Sequence, residues 1–135
     1  PGVLPRAITD RVPGLDAGTN QLEIVEQEGY ADRCTECAAG STQQFLEAAG
    51  LGPLDIDLLI PSPTPFGFPD SYAHAVGIPD DRVARVDERF GPVHTAGPVA
   101  AMEGVMRTGR LAEARNVLFV TVGSGITVGL ALYHP

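Results

Sequence analysis

Histidines are the residues of this sequence best suited by type to acid–base chemistry. His94 lies two positions after Pro92, in a loop that enters a predicted helix near Gly97. A histidine there can act as a general base toward a hydroxyl or an amine. The alternative is a half-buried loop histidine that makes one backbone hydrogen bond. His74 falls in a short amphipathic helix and His134 near the chain end, so we expect both at the surface.

Ser62 is the candidate nucleophile or ligand contact. It follows a buried-strand pattern in the segment Pro61-Ser-Pro-Thr-Pro65, and ligand-facing residues cluster at such loops in open α/β sheets. A nucleophilic serine needs a base within reach, and no elbow motif surrounds this one. The plainer interpretation is a serine retained in a short polar loop, although prolines on both sides fix its direction and favour a substrate-binding role.

Cys34 and Cys37 have the spacing of a metal half-site or a redox pair. A structural zinc site needs a second pair or added histidines, and the three histidines lack ligand spacing. On a helix the two cysteines lie one turn apart, and free cysteines are commonly core residues. We therefore predict no metal site, and thiols that fit a reducing cytoplasm.

Charge excludes several functions. The 135 residues carry a net charge of −8, and all nine basic residues are arginine. The absence of lysine rules out a Schiff base, a phosphate-loop lysine and a lysine general base within this chain. The negative charge argues against nucleic acid as a partner. No apolar run approaches about 18 residues, so we expect no membrane span.

The length fits one domain with one core, and 44% hydrophobic residues are typical of a folded chain. Residues 1–20, rich in proline and glycine, are predicted to form an irregular lead-in, and residues 21–135 the domain. The chain begins at Pro1 without a basic-then-apolar leader. We therefore expect a processed or partial cytoplasmic protein.

Hydrophobic periodicity predicts alternating elements in the order β-α-β-α-β-α-β-β. Strands are predicted around Leu22–Val25, Ile56–Ile60, Val83–Val86, Asn116–Val122 and Ile126–Tyr133. Helices are predicted at Tyr30–Ala49, from a cap at Asp70 to Val76, and at Gly97–Thr108, the last with Val99, Met102, Val105 and Met106 inward.

This order predicts an α/β fold with a mixed, mostly parallel sheet flanked by helices. The last two strands, joined by Gly123-Ser-Gly125, should form an antiparallel hairpin.

Three segments in order make the chain resemble the C-terminal half of a β-ketoacyl-acyl-carrier-protein synthase III, in the thiolase superfamily. Leu54-Asp-Ile-Asp-Leu-Leu-Ile-Pro61 resembles the strand before the family's Pro-His-Gln-Ala-Asn motif. Val86-Asp-Glu-Arg-Phe-Gly91 with His94-Thr-Ala96 sits where the family has Arg-x-Gly-Asn-Thr-Ser-Ala. Val122-Gly-Ser-Gly-Ile-Thr-Val-Gly-Leu-Ala-Leu132 resembles its terminal glycine-rich hairpin.

The resemblance implies a five-layer fold of two similar halves, with the nucleophilic cysteine in the N-terminal half. It maps the family's histidine to Ser62, its asparagine to Pro92 and its oxyanion-hole N–H to the turn at Ser124. Both side chains are therefore replaced, and decarboxylative condensation should be crippled, because proline has no donor and serine alone is no base. Substrate contacts are expected from Pro63, Thr64, Pro92, Gly123 and Gly125, and catalytic contacts from His94, Ser62 and Ser124.

Two functions follow from the resemblance, and a small α/β binding module unrelated to acyl transfer stays open beside them. The first is acyl transfer from acyl-CoA or an acyl-carrier protein, as substrates rather than bound cofactors, to a small-molecule acceptor. The second is a non-catalytic subunit that completes a partner enzyme. Either way we expect an N-terminal thiolase-like half and a dimer of full units, since half of a shared core leaves an apolar face exposed.

Overall fold

A mixed sheet of three strands forms the centre of the fold. A computed structural model of the chain describes residues 4–6, 23–25, 27–87, 94–123 and 125–135. The strands β3 (Leu58–Pro61), β4 (Val117–Gly123) and β5 (Thr127–Tyr133) lie in that order, β3 parallel and β5 antiparallel to β4. The predicted α/β class and the terminal hairpin are therefore confirmed.

Helices cover both faces of this sheet. On one face lie α1 (Tyr30–Ala48) and α2 (Phe68–Val76), and on the other α3 (Gly97–Arg107) and the short α4 (Arg110–Glu113). Side chains alternate between the two faces along each strand, so neighbouring residues of β3 enter different clusters: Leu59 packs toward α1, and Leu58 and Ile60 toward α3. No helix of the described residues has the length and apolar content to cross a membrane.

Helix α1 buries one straight stripe of residues four apart: Tyr30, Cys34, Ala38, Thr42 and Leu46. Because that stripe includes Thr42, a polar group enters the core and needs a partner. Its hydroxyl lies 2.6 Å from the hydroxyl of Tyr72 on α2, in a buried hydrogen bond. This bond and the packing of Phe68 and Tyr72 hold α2 against α1.

The inward side predicted for α3 is only partly correct: Val105 is buried and Met102 packs against the core, as predicted. Gly97, Ala101 and Val105 are buried, whereas Val99 is 72% exposed and Met106 58% exposed. The prediction for Val99 and Met106 was wrong because the helix carries apolar residues on two sides. Periodicity alone does not say which side meets the sheet.

The carboxyl group of Asp70 does not cap α2 as predicted. Gly67 holds the N-cap position with φ +78°, and Asp70 lies within the first turn. Its carboxylate accepts a hydrogen bond of 2.6 Å from Arg85, which also pairs with Asp80. A left-handed residue is needed where the loop enters the helix, and glycine adopts it without strain.

Two predicted segments differ in detail. Within the lead-in predicted to be irregular, Leu4–Arg6 forms a strand, β1, antiparallel to β2 (Glu23–Val25). The predicted strand at Val83–Val86 is only one parallel bridge, between Leu59 and Val83. A strand needs a run of paired residues, and among the described residues of this segment the only hydrogen bond to β3 comes from the N–H of Ala84, which donates to the carbonyl of Leu59.

Replacing Tyr72 with Phe tests the α1–α2 contact through its pH dependence. Burial raises the pKa of Tyr72 to about 12, so above pH 10 the unfolded chain loses this proton before the folded chain does. The free energy of unfolding should therefore fall as pH rises from 10 to 12, by about 1.4 kcal/mol per unit. In urea unfolding, Tyr72→Phe should be less stable by about 1 kcal/mol at pH 8, from the lost hydrogen bond. The difference in free energy of unfolding between the variant and the unchanged chain should vanish or reverse at pH 11. A difference that stays the same at both pH values would contradict the raised pKa of Tyr72.

Gly97 allows α3 to approach the loop after β3. A Cβ atom on Gly97 would lie 2.3 Å from both Cδ and Cγ of Pro63. These two atoms belong to the proline ring and cannot rotate away. Gly97→Ala should lower the free energy of unfolding by about 1–3 kcal/mol, because the added methyl overpacks this contact. The matched control is Gly104→Ala, where a Cβ meets nothing within 4 Å in the same helix. The control should stabilise by about 0.5–1 kcal/mol in the same denaturation series. Equal effects of the two changes would show that the close contact is absent.

Candidate functional site

The carboxyl ends of β3 and β4 meet at one edge of the sheet. The two strands are parallel, with Pro61 opposite Val120, and the N–H of Ser62 donates to the Val120 carbonyl over 2.8 Å. The loop after β3 and the last residues of β4 are thereby held side by side. Ligand sites of open α/β sheets form at this kind of edge.

A cavity of about 140 Å³ opens at this edge, beside the N-terminus of α3. It is lined by Ser62, Thr64, Thr95, Pro98, Thr121 and Val122. Alternation along the strands explains two members of this set: Ile60 and Phe119 belong to the cluster on the α3 side, so the side chains two residues later face the same way. These are Ser62 and Thr121.

Four of the six residues in the described lining are serine or threonine, and none of the six has an ionisable side chain. Serine and threonine hydroxyls both donate and accept hydrogen bonds, but they do not take up protons near neutral pH. These side chains can therefore bind and orient a ligand. A proton acceptor for catalysis has to come from a residue outside this lining.

The structure brings some of the predicted site residues together. Ser62 is buried, with 6% of its surface exposed, and Ser62 and Thr64 both line the cavity. Pro63, between them, packs against Gly97 and so joins the loop to α3. The loop after β3 is thus placed as the sequence predicted, while the roles of its residues stay predictions.

Gly123 and Gly125 lie at the neighbouring hairpin turn and outside the described lining of the cavity. The Gly123 carbonyl accepts hydrogen bonds from the Tyr30 hydroxyl at 3.3 Å and from the N–H of Ile126 at 3.1 Å. Gly125 has φ +74° and Ile126 φ +57°, an uncommon conformation for a β-branched residue. Packing of Ile126 against the core accompanies this turn geometry.

The other three predicted site residues are described in part or not at all. His94 begins a short 3₁₀ turn, His94–Ala96, that leads directly into α3, and its backbone immediately precedes the cavity residue Thr95. Pro92 and Ser124 lie outside the described residues. Their predicted roles remain predictions.

Sequence reasoning missed Thr95 and Thr121, which complete the hydroxyl lining. Thr121 carries a signal: it is the one polar residue in the apolar run of β4. Opposite it, Gly129 leaves room, since a Cβ there would lie 2.7 Å from the Thr121 hydroxyl oxygen. Thr95 follows His94 directly and carries no comparable signal of its own.

The two cysteines do not form a joint site. Cys34 is buried in the core and Cys37 is exposed, and no disulfide links them. The predicted core role is confirmed for Cys34. The described residues contain no group of three or more His, Cys, Asp or Glu arranged to hold a metal ion. His74 and His134 are exposed, as predicted.

Comparison with known proteins gives one consistent answer. Residues 46–134 match the family described as 3-oxoacyl-[acyl-carrier-protein (ACP)] synthase III C terminal. The chain is 29% identical over 86 residues to β-ketoacyl-[acyl-carrier-protein] synthase III of Listeria innocua, covering 64% of this chain and 28% of that protein. It is 29% identical over 89 residues to the synthase of Coxiella burnetii, covering 66% and 28%.

The fold agrees with a solved structure of the same kind. The synthase III from Thermus thermophilus superposes with a TM-score of 0.74 at 26% identity, over 98% of this chain and 41% of that one. The part of the chain that matches the Listeria and Coxiella synthases spans 28% of the length of each. The family match takes in every element from β3 to β5, including the segments that line the cavity. The chain therefore belongs to the family of C-terminal domains of 3-oxoacyl-[acyl-carrier-protein] synthase III.

Proposed function

We propose that this chain is the C-terminal part of an acyltransferase that moves an acyl group from an acyl-CoA or acyl-carrier thioester to a small-molecule acceptor. Membership of the synthase III family supports the thioester chemistry. The observation that carries the proposal is Ser62, which lies in the cavity at the ends of β3 and β4, where the resemblance places a histidine.

The proposed reaction has two balanced steps. A cysteine of the N-terminal part attacks the thioester carbonyl, and the CoA or carrier sulfur leaves and takes up a proton as a thiol. The oxygen of the acceptor then attacks the acyl carbon, and its proton passes to a base. The cysteine sulfur leaves as a thiolate, and the base returns the proton to it. We assign the base to His94 and the oxyanion contact to the N–H at Ser124.

Transfer is favoured over condensation because the replaced residues change which charge the site can stabilise. Decarboxylation of a malonyl thioester builds an enolate that needs aimed donors, and losing one donor costs about 10²–10³ in rate. Ser62 offers one hydroxyl donor and Pro92 offers none. Attack by a hydroxyl on a preformed acyl-cysteine builds no such enolate.

The second candidate is a non-catalytic subunit that completes a partner enzyme. Val99 and Met106 favour it: they lie seven residues apart on one side of α3, and both are mostly exposed. Phe66, in the loop after β3, is 99% exposed. Exposed apolar side chains suit contact with another layer of protein. This contact requires no catalysis, so a subunit without activity would make it as well as an active one.

The experiment that tests acyl transfer uses the native protein that contains this chain together with its N-terminal part. Incubated with a radiolabelled acyl-CoA, it should form a stable acyl-enzyme. Incubated with malonyl-carrier protein labelled at the free carboxyl group, it should release no labelled carbon dioxide above background. Rapid release would overturn the proposal and indicate a condensing enzyme. Absence of an acyl-enzyme, with no cysteine at the start of the N-terminal nucleophile helix, would favour the non-catalytic subunit.

Replacing His94 tests the proposed base. In the same native protein, His94→Ala should leave formation of the acyl-enzyme within about twofold, and should slow transfer to the acceptor by about 10²–10⁴, the usual contribution of a general base. His74→Ala is the matched control, since His74 is an exposed histidine on α2. Transfer rates that stay within a few-fold in His94→Ala would remove the base role and leave the rest of the proposal standing.

A further inference from the structure

Four residues that carry hydroxyl groups, from three separate segments, line one cavity. Ser62 and Thr64 come from the loop after β3, Thr95 from the turn before α3, and Thr121 from β4. The remaining described lining, Pro98 and Val122, is apolar. With a volume of about 140 Å³, the cavity has room for a short polar group of a ligand.

Among the described residues, none of these four hydroxyl groups has a hydrogen-bond partner, whereas the backbone N–H of Ser62 donates to the Val120 carbonyl. Ser62 is 94% buried, and burying a hydroxyl without a partner is unfavourable by about 1–3 kcal/mol. Within the described residues, every fully enclosed side-chain oxygen or nitrogen has a partner. The Ser62 oxygen is therefore open to the cavity, and its hydrogen bond has to be made to whatever occupies that space.

The described lining also determines the charge that fits. It contains no arginine, aspartate or glutamate, so a bound carboxylate or ammonium would lose its hydration without gaining a counter-charge. The partial positive charge at the N-terminus of α3 disfavours a cation further, and its attraction for an anion is weak because the effect falls off within the first turn. The negative charge of the whole chain, −8, disfavours an anion. Hydroxyls that both donate and accept match a neutral group that does the same.

We propose that the cavity lined by Ser62, Thr64, Thr95 and Thr121 binds an uncharged amide or hydroxyl group and discriminates against carboxylates and ammonium ions. Assigning that group to the acyl acceptor rests on the proposed function. The binding preference itself belongs to this chain and needs no acyl transfer to be observed.

Three probes of equal shape separate the possibilities: acetamide, acetate and acetamidinium, which are neutral, anionic and cationic. Each is titrated into the isotope-labelled chain at pH 8, where acetate and acetamidinium are both fully charged, and backbone amide shifts are followed by NMR. Acetamide should shift the amides of the four cavity residues. Its dissociation constant should be at least about fivefold lower than those of the two ions, the equivalent of one hydrogen bond.

Variants at Thr121 establish that the hydroxyls make the contact. Thr121→Val keeps the side-chain shape and should weaken acetamide binding about fivefold, and Thr121→Ser should restore it. The control is Thr127→Val, at an exposed threonine of β5 outside the described lining. The dispersed spectrum of each variant checks that it folds, and Ser62→Ala supplies an independent second removal of a hydroxyl.

Each outcome decides the matter. Selective acetamide binding that Thr121→Val weakens supports the site. Equal binding of acetate or acetamidinium overturns the preference for a neutral group. No binding by any probe, or shifts that the cavity variants leave unchanged, overturns the site. A native protein that transfers no acyl group would refute the proposed function while leaving a positive binding result intact.

Discussion

The parallel pairing of β3 with β4 is the contact on which the rest of the site depends. Just before the two strands begin, the Asp57 carboxylate links them: it accepts hydrogen bonds from the backbone N–H groups of Arg115 at 2.9 Å and Asn116 at 3.0 Å. These two donors lower the pKa of Asp57. A slip of one residue would turn every side chain of the strand to the opposite face. The register therefore decides that Ser62 and Thr121 face α3.

Helix α3 supplies the second wall, and its position follows from the absence of a side chain at Gly97. Because nothing projects there, the first turn of α3 lies against the ring of Pro63. Thr95, just before the helix, then reaches the same space as Thr64. Each hydroxyl is ordinary in its own segment. Together the hydroxyl-bearing residues line a cavity whose described lining holds no charged side chain.

The same helix offers an apolar side to the outside. Val99 and Met106 lie away from the sheet, and along β5 the residues facing the α3 side are exposed. A helix that is apolar on two sides is what a layer between two others requires. The proposed N-terminal part and the proposed acyl transfer are thus linked, because the surface that would receive a second half adjoins the cavity that would hold its substrate.

Local pattern was enough to predict α1, the hairpin of β4 and β5, and the loop that carries Ser62, because each depends on residues close together in the chain. The resemblance to the synthase family was likewise visible in three short segments. Pairing between distant strands was needed to bring Thr121 beside Ser62, and helix packing to bring Thr95 there and to leave Val99 and Met106 exposed. Periodicity marks a residue as apolar or polar, but only the packed chain decides which neighbour it meets.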